Sequence, residues 1–60
     1  MEAKDFVAWL EHMGLNDLAA SKALGISRTS VQKYKTEAAP PVIGLACAAL
    51  AFGLPPWRKL

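Results

Sequence analysis

Between Asn16 and Thr36 the chain reads NDLAASKALGISRTSVQKYKT, two short helix patterns hinged at Gly25. A steep bend made in about three or four residues needs one backbone position at positive φ, and glycine takes it without steric cost. Leu24 and Ile26 flank the hinge as apolar anchors, and the Ser27 hydroxyl can cap the helix that follows. Asn16 caps the first helix, which runs to Leu24. Its inward residues are expected to be Ala20, Ala23 and Leu24, with Ser21 packed closely against the next helix and Leu18 partly exposed. Beyond the hinge, Val31 and Tyr34 fall three apart and join Ile26 in the core. A fold containing this hinge has to be built around two short helices set at an angle.

The same spacing turns Arg28, Thr29, Gln32 and Lys33 to the other side of the second helix. Those side chains suit the edges of base pairs. Arginine and lysine donate to guanine, glutamine can pair with adenine through two hydrogen bonds, and threonine offers a hydroxyl and a methyl. Asn16, Ser27, Lys35 and Thr36 stand at the rim as candidates for phosphate contacts. The formal net charge is only +2, but it is unevenly spread. Residues 1–17 carry Glu2, Asp5, Glu11 and Asp17 against Lys4, a net −3. Residues 18–36 carry Lys22, Arg28, Lys33 and Lys35 with no acid, a net +4. Positive charge is thus concentrated where attraction to phosphate would act.

The run LAASKALGISRTSVQKY resembles the phage repressor and Cro-type (Xre-like) helix-turn-helix family. Ser21 stands where that family usually has alanine, four before the turn glycine, and Ile26 and Val31 match its inward aliphatics. The resemblance implies that Ser27, Arg28 and Thr29 lie against bases, with Gln32 and Lys33 one turn later. Asp17 replaces the glutamine that usually grips a phosphate, leaving that contact to Asn16 or to backbone N–H groups. The implied fold is all-α and lambda-repressor-like, a compact bundle of four short helices, or five if the tail adds a turn near Trp57. The implied function is operator binding, as a repressor in a phage or mobile element.

Upstream, residues 2–13 read as an amphipathic helix. Phe6, Trp9, Leu10 and Met13 form the apolar stripe, Ala3 and Val7 flank it, and Glu2, Asp5, Glu11 and His12 stay wet. Gly14 ends that helix and Leu15 drops into the core. Downstream, Pro40 and Pro41 stop one helix and can begin another. VIGLACAALAF, from Val42 to Phe52, has no polar side chain apart from one thiol. A helix apolar on every side must be covered on every side. Val42, Leu45, Ala49 and Phe52 are expected to cover the core. Ile43, Cys47, Leu50 and Leu54 would then face water and imply a second chain. Gly53 ends the helix and Pro55–Pro56 turn the tail. Trp57 and Leu60 either strap onto the neighbouring subunit or fold back, and Arg58 and Lys59 could reach flanking phosphates.

Sixty residues allow one domain. Residues 1–60 are expected to form a single DNA-binding unit, with 41–60 supplying the dimerisation helix and tail. A homodimer would match two heads to an inverted repeat in double-stranded DNA, with half-sites about 34 Å apart. The single cysteine fits a reducing cytoplasm, and Glu2, Lys4 and Asp5 interrupt any leader-like run. No cofactor, metal or small-molecule ligand is expected. The chain has no paired carboxylates at working spacing, no phosphate loop, no metal cluster and no nucleophile with a base, and His12 stands alone. An enzyme is therefore not expected. One rival is a protein-interaction module, an antitoxin or antirepressor gripping a partner through the apolar C-terminal half. A membrane peptide is the other, but the thirteen residues from Val42 to Leu54 reach only about 20 Å of a roughly 30 Å hydrocarbon core.

Overall fold

Four helices begin and end where the sequence changes chemistry. The computed structural model describes residues 1–59. It contains α1 (Ala3–Met13), α2 (Asp17–Leu24), α3 (Arg28–Tyr34) and α4 (Pro41–Ala51), with no strand among the described residues. α2 is the hub, packing against α3 on one side and α4 on another, while α1 packs against α4. No fifth turn forms near Trp57, and the expectation placed on Leu60 lies outside the described residues.

Local chemistry sets the boundaries. Asn16 Oδ1 accepts from the Ala19 N–H at 2.8 Å, and Ser27 Oγ accepts from the Ser30 N–H at 3.0 Å. Each cap satisfies one N–H that a helix start leaves orphaned. Pro41 opens α4, where a missing N–H costs nothing. At the end of α2, Gly25 adopts φ 68°, and both its own N–H and that of Ile26 reach the Ser21 carbonyl. α1 and α4 also end beside glycines at positive φ, Gly14 and Gly53, with the Gly53 N–H donating to the Leu50 carbonyl and the Leu54 N–H to that of Ala49.

The core closes over Phe6, Val31 and Cys47, each almost wholly removed from water. Trp9, Leu10, Ala20, Ala39 and Ile43 surround them. Phe6 stacks on Trp9 with ring centres 5.8 Å apart and meets Tyr34 edge-on at 5.9 Å, which brings α3 onto α1. The Trp9 indole N–H donates to the Cys47 carbonyl at 2.9 Å, fixing α4 against α1. A second tie joins the approach to α1 with the approach to α4: Met1 donates its amino group to the Ala39 carbonyl, and Ala39 N–H donates to the Met1 carbonyl.

α4 is rotated from its expected orientation. Ile43 and Cys47 face the core, and Leu50 is half-buried against it. Val42, Leu45 and Phe52, expected inside, are 64%, 72% and 81% exposed. An all-apolar helix carries no rotational signal in its own pattern. Its rotation is set by the Met1–Ala39 clamp and the Trp9–Cys47 bond, which no periodicity records. Ile43 and Cys47 are therefore core residues and unavailable to a partner. α2 turns Ala20 and Ser21 inward as expected and half-buries Leu24, but Ala23 is exposed, against expectation.

Nothing lies within 4 Å of where a Cβ on Gly25 would sit, so an added side chain there meets only backbone strain. Gly25→Ala is expected to lower the unfolding free energy by about 1–2 kcal/mol, and Gly25→Asn by less, since asparagine tolerates this region. Urea denaturation followed by helical circular dichroism measures both; an unchanged midpoint for the alanine variant would contradict the assignment.

Candidate nucleic-acid interface

α3 emerges from the hinge with its first residues clear of the core. Successive side chains advance by about 100° around a helix. Arg28, Gln32, Thr29 and Lys33 therefore share an arc of about 140°, and all four are exposed. Val31 and Tyr34 occupy the opposite arc against the core. The base-reading candidates named from the sequence thus lie together on one surface, and none is packed beneath another element.

The rim is more constrained than the sequence implies. Asn16 and Ser27 are exposed, but their oxygens already serve as helix caps. The Ser27 hydroxyl also donates to Ser30 Oγ at 3.0 Å. Thr36 is exposed and donates its hydroxyl to the Lys33 carbonyl at 3.2 Å. For a phosphate, this leaves the Asn16 amide NH₂ as a free donor, because the Ser27 and Thr36 hydroxyl protons are already given to Ser30 Oγ and to the Lys33 carbonyl.

Lys35 differs most from its expected role. Its ammonium is paired with the Asp17 carboxylate at the start of α2, and both side chains are only partly exposed. The partnership holds the Asp17 carboxyl below its ordinary range. Lys35 is the main cause, lost solvation opposes it, and the Gln32 amide and Arg28 charge act in the same direction as Lys35. The pair braces the far end of α3 against the near end of α2, so Lys35 acts as a strut between the two helices. In the sequence Asp17 stands out as a departure from the family pattern and as one acid among four in residues 1–17. The signal available was its opposite charge to Arg28 and Lys35, but the chain separation concealed their proximity. Leu18, 45% exposed, and Asp17 border a broad open groove of about 920 Å³ that also reaches Arg28 and Lys35.

Among the described residues no three His, Cys, Asp or Glu side chains gather as a metal site, and no helix is long and apolar enough to cross a membrane. Burial raises the Cys47 thiol above its ordinary value, partly offset by the charge of the N-terminal amine. No family model, curated protein or solved structure matches the chain.

A carboxyl whose folded value is depressed contributes stability above its unfolded value, and that contribution is lost as pH falls through the folded one. The Asp17–Lys35 strut should therefore be fully present above the ordinary carboxylate value of 3.8 and fade below it. Urea midpoints of wild type and Asp17→Asn, compared from neutral pH to about pH 2, should differ most near neutrality and converge in acid. A gap that stays constant with pH would exclude the pair as its source.

Proposed function

We propose that this chain is a helix-turn-helix regulator of the Cro-type or Xre-like kind that reads a specific sequence in double-stranded DNA. α3 would lie in the major groove, with Arg28, Thr29, Gln32 and Lys33 against base edges and the α2 N-terminus against the phosphate rim. The observation that carries this is the α3 arc itself: four exposed side chains with base-edge chemistry, clear of the core and beginning one residue after the Ser27 cap. Residues 18–36 carry a net +4, and with Asp17 set against Lys35 the remaining +3 supplies the attraction that precedes readout.

One short recognition helix covers too few base pairs for tight binding, so the acting species is a homodimer on an inverted repeat. Repression in the cytoplasm, of its own or a neighbouring promoter in a phage or mobile element, follows from the family resemblance alone. The deciding experiment is selection of bound duplexes from a random pool at near-physiological salt. Enrichment of an inverted repeat with half-sites about one helical turn apart is expected; a pool without enrichment would remove sequence-specific DNA binding.

Two substitutions test the division of labour. Arg28→Ala should weaken the selected site by about 1–3 kcal/mol and relax one base position, with a smaller effect on random duplex. Asp17→Asn should release Lys35 toward phosphate, strengthen binding to selected and random duplexes alike, and steepen the salt dependence by about one. Titrations over a salt series separate the two, and equal losses on both duplexes for Arg28→Ala would take it out of the readers.

A further inference from the structure

Apart from Leu18, the large apolar side chains exposed among the described residues belong to one stretch of chain: Val42, Leu45, Phe52, Leu54 and Trp57. The first three form a stripe along α4 at helical spacing. Trp57, 92% exposed, does not fold back over its own core. Next to the stripe an apolar groove of about 230 Å³ runs between α2, α4 and the tail, lined by Ala23, Leu24, Ala46, Leu50 and Leu54. No charged residue occurs between Glu37 and Arg58.

We infer that this face is a self-association surface, in which a second copy lays its own Val42–Leu45–Phe52 stripe across the first and each copy covers the other's Trp57. Area and charge both point to a second copy. Aromatic side chains bury about 150–250 Å² each, and aliphatic ones about 60–120 Å² of apolar area. Scaled by exposure, the five present roughly 500 Å² per copy, and pairing two copies removes about 1,000 Å² from water, the threshold of a specific interface. In a twofold pairing each surface meets its own duplicate, so a charge near the axis would face itself. The uncharged run from residue 38 to residue 57 satisfies that condition. A bilayer surface is less well matched, because amphipathic membrane helices carry a basic polar face and α4 has no charged side chain.

This supplies the contact surface for the dimer proposed above and stands independently of DNA. Sedimentation equilibrium of the full chain without DNA is expected to give a dimer. Leu45→Asp and Phe52→Asp should each weaken association by about 30-fold or more with circular dichroism unchanged, since both side chains lie outside the core. Leu18→Asp, an exposed leucine off this face, should leave association intact. A wild type that stays monomeric, variants that dimerise as tightly as wild type, or flotation of monomers with phosphatidylcholine vesicles would each overturn the inference. Monomeric variants that still bind a half-site would separate the two surfaces. A wild-type dimer that ignores all duplexes would remove the DNA reading and leave this one standing.

Discussion

α2 has to touch two helices at once, and everything else depends on how small its inner face is. Ala20 is fully buried and Ser21 nearly so, which lets α3 and α4 both approach the α2 backbone. A larger side chain at Ala20 would force one of them outward, the kind of overpacking that costs about 1–3 kcal/mol. Ser21 combines two roles. Its hydroxyl donates to the Leu18 carbonyl at 2.7 Å, so no polar atom is left unpaired, and its carbonyl receives the N–H groups of Gly25 and Ile26. The residue that permits close packing is also the one that closes the helix. The direction in which α3 leaves the hinge is therefore inherited from the core, through Ser21, with Val31 seated beneath.

What could be read from the chain was what is decided locally or by contrast. Asn16, Gly25 and Ser27 act on N–H groups within a few residues, so their caps and bend are legible from spacing. The α1 stripe of Phe6, Trp9 and Leu10 is legible because acids occupy the opposite face. The α3 arc is legible for the same reason, with Val31 and Tyr34 inside and polar residues outside. α4 offers no such contrast, and its buried face is that of Ile43 and Cys47 rather than the Val42–Leu45–Phe52 face. Ala23 gives no signal either, because an alanine fits either side of a helix. Sequence spacing cannot show that Asp17, on another helix, lies within reach of Lys35. The Met1–Ala39 clamp joins backbone to backbone and leaves no mark on side-chain identity.

The two exposed surfaces differ in what they owe to folding. A residue exposed in both the folded and the unfolded chain changes little between them, so its transfer free energy drops out of stability. Leu45 and Phe52 therefore stabilise the monomer hardly at all, whereas Ile43 and Cys47 on the adjacent face do. Polar side chains at Leu45 and Phe52 would serve the monomer equally well and serve solubility better. The α3 arc is in the same position: Arg28, Gln32 and Lys33 hold no part of the core together. A sixty-residue chain has little surface to spare and a correspondingly marginal core. That it keeps one basic, hydrogen-bonding arc and one uncharged apolar stripe, on separate helices that both lean on α2, is not accounted for by stability. Duplex DNA for the arc and a second copy for the stripe, as proposed above, would give each surface a use outside the chain, since their chemistries differ too much for one partner to satisfy both.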